Sequence, residues 1–247
     1  LIQIRGGRGF ETAKSMKARG EKPVNTEGVL RDSRINRIFE GSTEIMHLII
    51  AREAVDQHLA VAGDAIDPKA ALVDKLKGGA GAAKFYAGWY PKLATGKGND
   101  PRSYAEFGDN AKHLRYAERA SRKLARSTFY AISRYQAKLE QKQSVLGRIV
   151  DIGSELFAIS AAVVYAQTLQ TEQPERAAEA RELADIFAQQ ARSRAEALFA
   201  SLFDNDDDNN YAFAQKVLAG RYESFEDVLD PSEIGGLPMF IENSQAV

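Results

Sequence analysis

The chain has 247 residues and a mass of 27.2 kDa, with 44% apolar and 27% charged residues. That is enough apolar material for one or two domains with a buried core, and it excludes a disordered tail. Lys and Arg total 33 against 34 Asp and Glu, which argues against a dedicated nucleic-acid binder. The absence of cysteine excludes disulfides, thiolate metal sites and cysteine nucleophiles, and with only three histidines (His47, His58, His113) a multi-histidine metal centre is not expected.

In chain order, apolar residues recur at helical spacing, and no run of alternating residues competes with them. A helix is expected from Ser42, with Ile45, Leu48, Val55 and Leu59 along one side. Gly63 to Pro68 is expected to break the chain, and a second helix to run from about Lys69 to Tyr90 before Pro91. After a loop over Thr95 to Pro101, a long helix is expected from Ser103 to Lys142, with Leu114, Ala117, Leu124, Ala131, Tyr135 and Leu139 at helical spacing. Val145 to Gln170 is apolar on nearly all sides and is expected to be the central helix. Its uncharged stretch between Glu155 and Glu172 contains Ser160, Tyr165, Gln167, Thr168 and Thr171, so a buried helix is expected here and not a membrane span. Pro174 opens a further helix with a core face of Leu183, Phe187, Ala191, Ala195, Leu198 and Leu202. After the acidic stretch Asp204 to Asn210 a short helix is expected near Tyr211 to Ala219. The fold class is therefore all-α, a helical bundle, with a boundary that separates residues 1–62 from 63–247. The chain begins at Leu1 without methionine and shows no signal-peptide pattern, so a cytoplasmic piece of a longer protein is expected.

Three patterns carry little chemistry. Asp204, Asp206 and Asp208 fit the first places of a calcium loop, but Asn209 stands where glycine is needed and Gln215 where a glutamate is needed. Gly79-Ala80-Gly81 follows no strand and reads as a flexible interruption of a helix. His113, between Lys112 and Arg115, reads as part of a solvated face.

The segment Arg31 to Met46 is different. Glu40 lies between Ile38-Phe39 and Gly41, just before a helix start; desolvation there would raise its pKa towards that of a general base. Gly41 permits close approach of a ligand to the backbone, and the N–H groups of Ser42 to Glu44 can meet an anionic or polar group. The simpler reading is a helix start alone, with Ser42 as N-cap and Glu44 in the first turn. The residues by themselves leave both open.

Gln3-Ile-Arg-Gly-Gly-Arg-Gly-Phe10, followed by Leu30-Arg-Asp-Ser-Arg-Ile-Asn-Arg-Ile-Phe-Glu-Gly-Ser-Thr-Glu-Ile-Met46 and Leu48-Ile-Ile-Ala-Arg52, resembles the flavin-dependent acyl-CoA dehydrogenase family. The likeness covers the end of that family's catalytic core, here 1–62. The remainder, 63–247, is similar to the helical extension of very-long-chain and long bacterial members. The resemblance implies FAD as cofactor, an acyl-CoA substrate oxidised to a trans-2-enoyl-CoA in fatty-acid β-oxidation, and an electron-transfer flavoprotein as acceptor. It implies that Glu40 is the base and that Gly41 contacts substrate. Ser42, Thr43 and Glu44 would contact FAD, as would Gln3, Ile4, Arg5, Gly6 and Gly7, the latter segment from a neighbouring subunit. Arg31, Asp32, Arg34 and Arg37 are expected to brace the turn as ion pairs. The chain departs from the family in a basic insert between Phe10 and Pro23. It also lacks the family's amino-terminal helical and middle β domains, so it is expected to be inactive alone. A non-catalytic helical scaffold derived from the same ancestry is the rival reading.

From Lys112 to Lys142 there are nine Lys/Arg against Glu118 and Glu140, and from Glu172 to Glu233 fifteen Asp/Glu against six Lys/Arg. Such a basic helix could lie on an anionic membrane. The acidic helices of the same chain are the expected partners instead, with apolar burial holding the bundle. In the family an extension of this kind implies a homodimer.

Overall fold

Helical spacing of apolar residues does produce helices: among residues 2–39, 41–66, 69 and 71–225, which the computed structural model describes, there are ten α-helices and no strand. The short amino-terminal helices are α1 (Ile2–Arg5), α2 (Gly7–Phe10), α3 (Ala13–Ala18) and α4 (Thr26–Ile35). Thr12 caps α3 by accepting the Ser15 N–H at 3.2 Å, and Asn25 caps α4 by accepting the Gly28 N–H at 3.2 Å. The buried Thr26 hydroxyl donates to the Gly9 carbonyl at 2.9 Å and fixes α4 on α2. The segment between Phe10 and Pro23 folds around Met16, which is almost fully buried, and is clasped by Arg8–Glu21 and Arg19–Glu11 ion pairs.

The longer helices are α5 (Thr43–Ile66), α6 (Leu72–Lys92), α7 (Ala111–Tyr135), α8 (Gln143–Glu172), α9 (Ala177–Ala200) and α10 (Asp207–Leu218). The described residues up to Phe203 form one compact unit and those from Asp204 a second. In the first, α8 is the hub and packs on α5, α7 and α9. One core cluster joins Ala51 and Val55 of α5 to Ala131 and Ile132 of α7 and to Val145, Ile149 and Val150 of α8. The other joins Tyr116, Ala117 and Ala120 to Ile152, Leu156 and Ile159, closed by Ala188 and Ala191 of α9. Full burial of each large aliphatic side chain contributes about 1.5–3 kcal/mol. By length and composition α8 is, among the described residues, the helix apolar enough to cross a membrane; here its buried residues are the bundle core.

Several boundaries differ from the sequence expectation. The helix begun at Thr43 runs through residues 62 and 63 to Ile66, so Gly63 breaks nothing. A single glycine costs a helix only ~1 kcal/mol, which tertiary packing outweighs. Gly79 and Gly81 likewise lie inside α6, and Pro91 sits in its last turn. Ser103 to Lys142 is not one helix: Gly108 at φ 55 interrupts it before α7 and Gln136 at φ 48 ends α7. Of the expected face Val55 is buried while Ile45 and Leu59 are exposed, and Ala51, His58 and Ala62 complete the buried side of α5. The central helix is not apolar-packed all round, since Phe157, Val164 and Tyr165 face outward. On α9 the core stripe is Ala184, Ala188, Ala191, Ala195 and Phe199, with Leu183 and Phe187 turned out, because α8 and α9 approach closely only where α9 offers small side chains. In the second unit, Asp206 stands at the N-cap of α10 and Asp207 and Asp208 in its first turn, where the helix dipole favours acids.

His113 is not on a solvated face; its side chain is completely buried between α7 and α9. Asp185 accepts from Lys112 Nζ at 2.6 Å and lies 2.7 Å from His113 Nε2, and its pKa is held at about 2, chiefly by the Lys112 bond and then by His113. A carboxylate only accepts, so Nε2 of a neutral His113 carries the proton. Further along the same seam the Tyr116 hydroxyl donates to Glu196 at 2.8 Å, and Lys123 Nζ reaches Glu196 at 2.7 Å. Burial, then Glu196, raises the Tyr116 pKa. The basic helix and the acidic helix therefore do pair across the bundle rim.

Candidate functional site

The turn before α5 is built by Gly41. Its φ of 119° is a conformation that L side chains rarely adopt, and a side chain there would also crowd Met46 Sδ at 3.1 Å. Ser42 Oγ accepts the Ile45 N–H at 3.5 Å, and Ser42 O accepts the Met46 N–H at 3.0 Å, so Ser42 caps α5 as the sequence suggests. The Thr43 N–H is not free for a ligand: it bonds to the Arg37 carbonyl at 3.4 Å and ties the end of the α4 segment to the start of α5. Glu44 is exposed in the first turn.

Glu40 lies outside the described residues. Its described neighbours Ile38 and Phe39 are 64% and 65% exposed, so the apolar flank expected to exclude water faces solvent in this chain. Of the charges expected to brace the turn, Arg31 pairs with Glu27 within α4. Among the described residues Asp32, Arg34 and Arg37 form no ion pair.

The glycine segment is a second, separate surface. Gly6, at φ 57, turns the chain between α1 and α2; neither Gly6 nor Gly7 has an atom within 4 Å of where a Cβ would stand. Gly9 is the reverse case, because a Cβ there would run into the Ile2 carbonyl. Gln3 and Ile4 are exposed, and Arg5 is partly buried with its Nε lacking any hydrogen-bond partner. An orphaned donor beside an open glycine turn fits a ligand with acceptor atoms. α1 packs on α2 and α2 on α4, whereas α5 packs on α6, α7 and α8, so the two candidate segments are held by different neighbours.

The sequence expectation missed several polar residues that the bundle buries, among them His58 and His113. The signal was present: His58 continues the spacing of Ala51 and Val55, and His113 that of Ala117 and Ala120.

Two family models, both described as the acyl-CoA dehydrogenase C-terminal domain, match residues 1–55 and 127–207, together more than half of the chain. The proteins named probable acyl-CoA dehydrogenase FadE10 in Mycobacterium bovis and Mycobacterium tuberculosis are 58% identical over 234 residues, 94% of this chain and 36% of theirs. A probable acyl-CoA dehydrogenase of Bacillus subtilis is 26% identical over 198 residues, 79% of this chain and 28% of its own. Among solved structures, an acyl-CoA dehydrogenase from Bacillus anthracis complexed with FAD is 23% identical; the match covers 88% of this chain and 32% of that one with a TM-score of 0.48. The chain thus spans about a third of the length of the curated relatives it matches.

Proposed function

Since the chain belongs to the acyl-CoA dehydrogenase family and carries its C-terminal domain, we propose that it serves a flavin-dependent enzyme that converts acyl-CoA thioesters to trans-2-enoyl-CoA. In this reading residues 1–62 complete the catalytic core and 63–247 form the helical extension. The observation that carries it is the run Phe39-Glu-Gly-Ser-Thr-Glu44 inside a family match over residues 1–55, in a chain 58% identical to proteins of that name.

FAD would be held by Gln3, Ile4, Arg5, Gly6 and Gly7 on one surface and by Ser42, Thr43 and Glu44 on the other. The orphaned Arg5 Nε and the open Gly6–Gly7 turn support this assignment. When bound, the flavin supplies the acceptor for the substrate's β-hydride. Glu40 takes the α-proton, and Gly41 lets the thioester approach the backbone beside it. Electron-transfer flavoprotein as electron acceptor, a homodimer, a cytoplasmic location and a place in fatty-acid β-oxidation belong to the same reading. Because Ile38 and Phe39 face solvent here, drying the Glu40 site requires surfaces beyond this chain, and the chain alone is expected to be inactive.

The test is Glu40→Gln in the intact enzyme. A positioned base is worth on the order of 10²–10⁴-fold, so turnover should nearly vanish while FAD content and acyl-CoA binding persist. Retention of more than about a tenth of activity, a barrier change under ~1.4 kcal/mol, would favour the scaffold reading.

A further inference from the structure

Inside the bundle, between α5, α6, α7 and α8, lies a cavity of about 480 Å³. Protein interiors are packed nearly as densely as organic crystals, and voids of this size fall within the range of ligand pockets, ~300–1,000 Å³. Its floor is deep: His58, Thr128, Ile149 and Val150 are all buried. Its mouth is open, where Ile50, Ser121, Ser154 and Phe157 are exposed, Phe157 to 75%. Ala54, Ala125 and Gly153 face it from three different helices. Small residues on facing helices leave room for a ligand between them.

No Asp, Glu, Lys or Arg is among the residues that line it. The hydroxyls of Ser121 and Thr128 are already donated to the carbonyls of Ala117 and Leu124, at 2.8 and 3.0 Å. At the floor the His58 imidazole can meet a ligand as donor or acceptor, whereas the Thr128 oxygen can only accept. Its ring is held in one orientation by stacking on Tyr86, by an edge contact with Trp89 at 5.2 Å and by Phe129. Nδ1 lies 2.9 Å from the Tyr86 hydroxyl. Tyr86 can act as donor or acceptor in that bond, so the second ring nitrogen can accept or donate in turn. Burial lowers the His58 pKa and keeps the ring neutral. A carboxylate would have to shed its water with no cation to meet it, at a cost of several kcal/mol.

We infer that this cavity binds an uncharged, largely aliphatic molecule bearing one hydrogen-bonding group, with His58 meeting that group at the floor. The site is distinct from the Gly6 and Gly41 turns, and the inference does not rest on the dehydrogenase reading.

Trp89 lines the cavity and is the sole tryptophan of the chain, so its fluorescence reports occupancy directly. The purified 247-residue chain is titrated with 1-decanol and with decanoate at pH 8. The expected result is a saturable change at one 1-decanol per chain, a raised melting temperature, and binding of decanoate at least tenfold weaker. Ala54→Phe and Gly153→Leu should each weaken 1-decanol at least tenfold. Ala54 is exposed, so its variant keeps the fold even where Gly153→Leu does not. His58→Phe preserves the ring stack and should weaken 1-decanol at least threefold. The inference is overturned by the absence of a saturable change, by decanoate binding as tightly as 1-decanol, or by a signal that survives Ala54→Phe undiminished.

Discussion

His113 Nε2 lies 2.7 Å from Asp185 Oδ1 while the imidazole is sealed from solvent, so a titratable pair locks α7 to α9 from inside the bundle. Burial lowers the His113 pKa, opposed by Asp185 and aided by Lys112 and Arg192. The folded chain therefore holds the ring neutral, whereas an unfolded chain protonates it near ~6.5. That stability is fully present above the unfolded value and is lost as pH falls through it. His58, lowered by burial, has the same sign. Asp185, held at about 2, contributes above ~3.9 and fails only in stronger acid.

The melting temperature should accordingly drop between pH 7.5 and pH 5, each kcal/mol corresponding to about 2–4 °C for a chain of this size. His113→Phe should make that slope shallower, and His113→Phe with His58→Phe should nearly remove it. Thermal melts across this pH range decide it; an unchanged slope in the double variant would contradict the assignment.

The alanine stripe of α9 should tolerate no enlargement. Ala188, Ala191 and Ala195 are fully buried against α8, and their small size sets how closely the two helices approach. Ala191→Leu should destabilise the chain by about 1–3 kcal/mol through overpacking. The opposite change, Ile159→Ala, opens a cavity at a fully buried position and should cost about 2–5 kcal/mol. Urea denaturation measures both.

At the amino terminus, Thr26→Val keeps shape but removes the hydroxyl that Gly9 O accepts. Leaving that buried carbonyl unpaired should cost about 1–3 kcal/mol, felt locally in the α2–α4 group. Faster amide exchange in residues 2–10, with α8 unaffected, is the expected pattern.

Because Lys112 and Lys123 already face Asp185 and Glu196, the basic helix has its counter-charges within the chain. At about 0.15 M salt, where exposed charges beyond ~8 Å are largely screened, the folded chain should not float with anionic liposomes. Strong flotation would instead place α7 on a membrane surface.

Helical class, the order of the long helices and the Ser42 cap were legible in the sequence because they depend on local spacing and on a side chain reaching its own backbone. The glycine segment and the Glu40 motif were legible as residue patterns, and both lie within the family match over residues 1–55. On α7 the spacing also showed the buried face, with Leu114, Ala117 and Ala131 inside, whereas on α5 and α9 packing decided much of what is buried. On α9 the sequence offers Leu183 and Phe187 as the obvious core, yet the close approach of α8 selects the alanines and turns both large residues outward. The burial of His113 follows from a partner 72 positions away, Asp185. Gly63 could not announce that its helix continues, because the packing of α5 on α6, α7 and α8 outweighs one residue's weak preference. Local patterns fix where a helix forms; the free energy of burying one side of it, against neighbours far away in the chain, fixes what that helix hides and what it leaves for a ligand.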